Sequence, residues 1–284
     1  MSIMPWVELV AATLLTLLGW YLGDWFSRRK GNAWVVGYLL PLALLVLIAV
    51  GRWRSGAFFW PGFSWILSGR TEFALGALSV AMMLTTLLPR LRNHRQRVMI
   101  SILVVAVSVY MLLPFLMPAC LSQCLSDLPM RVNYQGVCLQ GTNYTSGPAA
   151  AVTALKFLGI NAQEGELAIL ARSNFISDTA PDLLCRAIQE KYGSSGIRSE
   201  FRSFHSVAEL QAIEGVVIVV VKYSPLVDHY VTVLEVKDKE LKVADPLAGL
   251  TKSSYQGFDS LWRGCGIVVR KIQPEQGNPP RRKP

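Results

Sequence analysis

Residues 140–150 read Gln140-Gly141-Thr142-Asn143-Tyr144-Thr145-Ser146-Gly147-Pro148-Ala149-Ala150, and this stretch decides how the second half of the chain folds. A polar loop runs straight into small residues, which continue as apolar positions at helical spacing over 147–158 until Gly159 stops them. Ser146 therefore stands where a helix begins. A group in that place lies in the positive end of the helix dipole, beside backbone N–H donors that have no partner inside the helix. The setting favours an anion, either a thiolate or a developing oxyanion.

Working outward, further helices are predicted over 163–171, 181–192 and 207–213, the second opened by Pro181. The β-branched run 216–221 reads as a buried strand. Strands over 229–236 and 240–244 flank the polar turn Lys237-Asp238-Lys239, and 266–270 would be a last strand. Helices first and an antiparallel sheet afterwards give an α+β domain. Two more pieces carry chemistry. Asp228-His229-Tyr230-Val231 opens one strand of the hairpin, and Val243-Ala244-Asp245-Pro246, with Gly249, closes the other. Facing ends of a hairpin let a carboxylate orient an imidazole, the general logic of nucleophile, base and orienter. Gln140 offers an amide donor.

The three pieces, in this order and spacing, resemble the double-glycine, bacteriocin-processing cysteine peptidases, which share the papain-like fold. In that family a Cys-Gly-Pro-Ala-Ala type motif opens the helix, with a Gln six residues upstream; here Gln140 precedes Ser146 by six. A His and then an Asp-Pro follow on neighbouring strands. The resemblance spans residues 134–271, with 119–133 as a linker before it and 272–284 as a disordered basic tail. It implies Ser146 at the nucleophile position, His229 as general base and acid, Asp245 as its orienter, and Gln140 with the backbone N–H of residue 146 as an oxyanion hole. The substrate it implies is a peptide or protein, Gly-Gly leaders being the family's usual one. Without the family pattern the bland readings are a helix-capping Ser146, a satisfied strand His229, a turn Asp245 and a loop Gln140.

The departure is Ser146 itself. A helix N-terminus and an imidazolium can lower a cysteine pKa from about 8.5 to about 3.5–7.5, whereas a hydroxyl reaches no comparable ion pair. Three accounts of the serine stand: an introduced substitution that silences the enzyme, a serine-using variant, or a domain turned peptide-binding module. The joint presence of Gln140, His229 and Asp245 favours a peptidase framework with its nucleophile replaced. The alternative is a non-catalytic domain that presents peptides to a partner transporter. The family's usual relatives sit on ATP-driven exporters, but no Gly-x-x-x-x-Gly-Lys-Ser/Thr phosphate loop occurs here, so ATP is not expected as a ligand. No cofactor and no metal site is expected, because His94, His205 and His229 are scattered and Cys120 and Cys124 have no histidine nearby.

The first 118 residues are a different material. Seven of the eight tryptophans lie there, as in membrane–water interfaces. Four stretches, 4–22, 33–50, 73–89 and 98–117, are apolar and long enough to cross a hydrocarbon core about 30 Å thick. The first lacks the basic start and small-residue cleavage site of a signal peptide and reads as a permanent anchor. Glu8, near its start, reads as interfacial. Residues 58–67, with Pro61 inside, are too short to cross and read as interfacial or re-entrant. The fold class is thus an α-helical transmembrane domain of four spans followed by an α+β papain-like peptidase domain.

The formal charge of +9 follows this division. Ten Lys/Arg stand against three Asp/Glu up to residue 118, and eighteen against sixteen after it. The excess is a membrane-topology signal, and a nucleic-acid partner is not expected. Arg28, Arg29, Lys30, Arg90, Arg92, Arg95 and Arg97 lie in two loops on one side; Arg52, Arg54 and Arg70 lie opposite. That bias predicts a multi-pass cell-membrane protein with both termini and the peptidase domain extracytoplasmic. Five cysteines in such a compartment are compatible with disulfides, the odd count leaving at least one free; buried free thiols are the other reading.

Overall fold

The apolar stretches form four long helices, α1 (Met4–Ser27), α2 (Ala33–Trp53), α3 (Thr71–Leu87) and α4 (His94–Ser126). The computed structural model describes residues 4–54, 66, 70–224, 227–237 and 240–272. Among them, four helices are long and apolar enough to cross a membrane. The segment expected at the interface, 58–67, lies outside the described residues except for Ile66, and so does the tail from residue 273. Between apolar helices in lipid there is little hydrophobic force, so close approach of small residues does the packing. Gly19 and Gly23 of α1 meet α3 this way. A Cβ on Gly19 would stand 2.4 Å from the Leu78 carbonyl oxygen, and one on Gly23 would stand 2.6 Å from that of Met82. Ala77 and Ala81 of α3 are fully buried in the same seam.

One boundary differs from the sequence reading. The fourth helix does not stop near Met117 but runs to Ser126, so residues 119–126, expected in a linker, are helical and carry Cys120 and Cys124 on an exposed face. The reason is packing. Leu125 is 1% exposed against the second domain, where a Cβ on Gly165 would stand 2.0 Å from the Leu125 carbonyl oxygen. That contact holds the last turns helical after Pro118. All five cysteines are free thiols, Cys138 and Cys265 being buried.

The second domain begins with the short pair β1 (Arg131–Val132) and β2 (Cys138–Leu139), followed by helices α5 (Ser146–Phe157), α6 (Glu164–Leu170) and α7 (Pro181–Tyr192). Then come β3 (Ile197–Ser203), α8 (Ala208–Gln211), β4 (Val216–Ser224), β5 (Val227–Lys237), β6 (Glu240–Asp245), β7 (Gly249–Ser254), α9 (Tyr255–Leu261) and β8 (Trp262–Lys271). The six longer strands form an antiparallel sheet in the order β3-β8-β4-β5-β6-β7. Strand β4 is central, and its continuous apolar run feeds two cores. Ile218 and Val220 join Ala149, Ala150, Leu155 and Tyr230 under the helices. Val217 and Val219 join Val231, Val233, Phe258 and Trp262 on the other face. This is the α+β class expected.

The domain rests on the end of the helical bundle that carries Glu8, Arg52 and Arg70. Glu8, read as interfacial, has a side chain 33% exposed and pairs with Arg70 at 2.8 Å and with Arg172 of the second domain at 2.6 Å. Arg52 reaches Asp228 of β5 at 2.6 Å.

Candidate active site

Helix α5 starts at Ser146, and Thr145 before it makes no side-chain cap. Thr145 instead turns inward, accepting from the Thr142 N–H at 3.1 Å. Ser146 is 6% exposed, and its hydroxyl makes no hydrogen bond among the described residues. The helix-capping role that serine often takes at this place is therefore absent here. One turn further on, the Thr232 hydroxyl donates to the Ala150 carbonyl at 2.8 Å, fastening the beginning of α5 to β5. The Tyr230 hydroxyl donates to the Thr179 carbonyl at 2.6 Å, which ties the loop before α7 to the same strand.

His229 sits near the start of β5 and is 7% exposed. Its Nε2 is 2.8 Å from Asp245 Oδ1 at the end of β6, an oxygen that also accepts from the Leu247 N–H at 2.7 Å. Burial alone would raise the Asp245 pKa. The hydrogen bonds from His229 and from the Leu247 N–H outweigh it, and the carboxyl lies below its ordinary range. With Nε2 engaged, Nδ1 is the ring nitrogen left for a second partner. Gln140 joins the same end of the sheet through its backbone N–H, which donates to the Pro246 carbonyl at 3.0 Å. Its side-chain Oε1 is buried without a partner. The hairpin thus brings His229, Asp245 and Gln140 together, and the Thr232 bond brings the start of α5 alongside. Among the described residues no hydrogen bond joins Ser146 Oγ to His229.

Beside the helix start lies a cavity of about 460 Å³ lined by Thr142, Asn143, Tyr144, Phe175 and Asp178. The Tyr144 and Phe175 rings meet edge to face across it, centroids 6.4 Å apart. Asp178 has a left-handed backbone, φ 51°, and its pKa is raised to about 6. Burial is the main cause, the Asp228 charge adds to it, and Arg52 and His229 oppose it.

Four charged residues around this site escaped the sequence reading: Arg52, Asp178, Asp228 and Arg263. Asp228 stood next to His229 in the quoted piece, and its adjacency was the one available signal. Arg52 read as a topology charge. Nothing local marked Asp178 or Arg263, because only the tertiary fold brings them near.

Residues 135–273 match the family model described as the peptidase C39 family. An uncharacterized protein of Methanothermobacter marburgensis is 30% identical over 132 residues, covering 46% of this chain and 86% of that protein. One of Methanothermobacter thermautotrophicus is 28% identical over 135 residues, covering 48% and 88%. Among solved structures, the peptidase domain of Streptococcus ComA, a bifunctional ABC transporter, aligns at 22% identity and TM-score 0.42 over 47% of this chain and 96% of that one. A double-glycine-motif protease from an AMS/PCAT transporter, solved in complex with the leader peptide, aligns at 14% identity and TM-score 0.40 over 51% of this chain and 94% of that one. The second domain is of the cysteine-peptidase class. The chain belongs to the peptidase C39 family.

Proposed function

We propose that this protein is a membrane-anchored C39 peptidase-like protein that takes a peptide or protein substrate at the start of α5. In this reading Ser146 holds the nucleophile position, His229 is the general base and acid, Asp245 orients the imidazole, and Gln140 donates to the oxyanion. With serine at 146 the chain cleaves little or nothing. The observation that carries the reading is the bond between His229 Nε2 and Asp245 Oδ1, which leaves Nδ1 as the basic atom. Cleavage at Gly-Gly-type leader sites is the family's preference and the first substrate to try.

The proton explains the serine's effect. A cysteine here pre-forms a thiolate–imidazolium pair with His229, while serine must lose its proton within the transition state. Ser146→Cys is expected to yield cleavage of candidate leader peptides and labelling by a thiol-reactive peptide probe, with the chain as it stands showing little of either. In the cysteine form His229→Ala abolishes cleavage, and Gln140→Ala lowers kcat by about 10²–10³ with a smaller effect on KM. Serine at 146 also supports a second reading, a non-catalytic domain that presents peptides to a partner transporter. That reading wins if the cysteine form neither labels nor cleaves while the serine form binds the same peptides tightly.

A further inference from the structure

We infer that Arg52, at the end of the second membrane helix, is a positioning residue for His229, acting through Asp228; the inference rests on the reading of His229 as general base given above. The part of β5 that carries His229 is held weakly by the sheet. Pairing with β6 begins only at Thr232, so residues 227–231 have a ladder on one side only, to β4. That remaining ladder is irregular between Lys222 and Ser224. A strand end with half its hydrogen bonds missing needs another fixture if its imidazole is to stay aligned.

Asp228 supplies the fixture. Its Oδ1 accepts from Arg263 Nε at 2.7 Å, and its Oδ2 accepts from Arg52 Nη1 at 2.6 Å. Arg263, on β8, is completely buried and donates through Nη1 to the Arg52 carbonyl at 2.6 Å. Arg52 in turn grips Glu72 of α3, through Nε at 2.8 Å and through Nη2. The result is a chain of four alternating charges, Glu72, Arg52, Asp228 and Arg263, that starts in the membrane bundle and ends in the sheet. Such a chain is matched only when complete, because removing one member leaves its neighbour buried and uncompensated. Successive side chains of a strand point to opposite faces. The clamp therefore fixes the backbone of β5 on one face while His229 projects from the other.

A second link grips the other flank. Glu8 of α1 pairs with Arg172 at 2.6 Å, and Arg172 opens the loop that bears Asp178. The charged groups around His229 are then Asp245 from β6, hydrogen-bonded to it, and Asp178 from this loop, with Asp228, Arg52 and Arg263 on the opposite face of β5. Two of these five are tied to the membrane helices: Arg52 as part of α2, and Asp228 through its bond to Arg52.

The test uses the full chain in membranes, as Ser146→Cys in a Cys120→Ala, Cys124→Ala background, and follows the rate of iodoacetamide alkylation against pH. With Arg52 intact, the thiolate–imidazolium pair gives a plateau that extends well below the ordinary thiol range. Arg52→Gln is expected to erase the acid side of that plateau, lowering the rate at pH 6 about tenfold or more. In peptide cleavage it lowers kcat while KM holds. Arg52→Lys keeps the charge but not the forked geometry, and falls between. An Arg52→Gln profile that overlays the parent overturns the inference. Should Arg52→Gln fail to fold, Arg52→Lys decides: a shifted profile supports the inference and an unshifted one overturns it. If the parent cysteine form itself titrates as an ordinary thiol, the reading of the site fails instead, and the two failures are told apart.

Discussion

Around His229 two carboxylates, Asp245 and Asp178, sit in environments that drive their pKa values apart. Asp245 is drawn down by the His229 hydrogen bond, while Asp178 is pushed up to about 6, chiefly by burial. Their links to stability have opposite signs. The depressed Asp245 contributes stability that is present above the ordinary aspartate range and lost as pH falls through its folded value. The raised Asp178 contributes stability that is fully present below about pH 4 and lost as pH rises through about 6. We therefore expect Asp178→Asn to gain stability over the parent progressively between pH 4 and 6, and to keep that gain at pH 7. Asparagine also accepts the left-handed backbone at this position, φ 51°, which adds an offset independent of pH. Denaturant midpoints at pH 4, 5, 6 and 7 measure both parts. A difference between parent and variant that is flat across that range contradicts the raised carboxyl.

At the level of elements, the seam between α4 and α6 is a close backbone-to-backbone joint. Gly165 lets the Leu125 carbonyl come so close that any side chain there must push the two helices apart. Gly165→Ala should cost roughly 1–3 kcal/mol of overpacking. It should also speed limited proteolysis around residues 127–130, between α4 and β1. An unchanged cleavage rate with an unchanged unfolding midpoint would show that the seam tolerates the methyl group. The same joint explains why the sequence misplaced the end of α4. The apolar run ends near Met117, but helix formation continues because Leu125 has a protein surface to bury against. Strand β3, Ile-Arg-Ser-Glu-Phe-Arg-Ser, escaped notice for a related reason. It is an edge strand, so its charged positions face outward and no continuous apolar run marks it. By contrast β4 and α7 were legible, since a central strand and a proline-started amphipathic helix write their burial directly into residue type. At the candidate site, the residues proposed from local pattern (Ser146, His229, Asp245, Gln140) lie in motifs that sequence spacing marks. Those recruited from other elements do not.

For the whole molecule, the end of the bundle that meets the second domain carries Arg52 and Arg70, both bound into ion pairs. The opposite end carries the basic loops, where Arg29 stacks on Trp25 and Arg90 on Trp34. The bias of Lys and Arg between the two ends, seven against three, is the basis on which we propose that the basic loops face the cytoplasm. We expect a reporter fused after Pro284 to behave as extracytoplasmic. A cysteine placed at Arg95 should label only from the cytoplasmic side. Protection of the second domain from protease added outside spheroplasts would reverse the assignment.

The length of α4 has a further, mechanical consequence. Its 33 residues rise about 50 Å at 1.5 Å each, of which a bilayer core takes about 30 Å. With the apolar stretch at 98–117 in that core, residues 118–126 add about 13 Å of helix on the side of the second domain, a strut instead of a loose tether. A swinging domain would sample a wide shell and meet its target by chance of linker length. If the proposed function holds, a domain carried this way would meet a polypeptide that shares the membrane at one depth, selected by where its chain emerges as well as by what it spells.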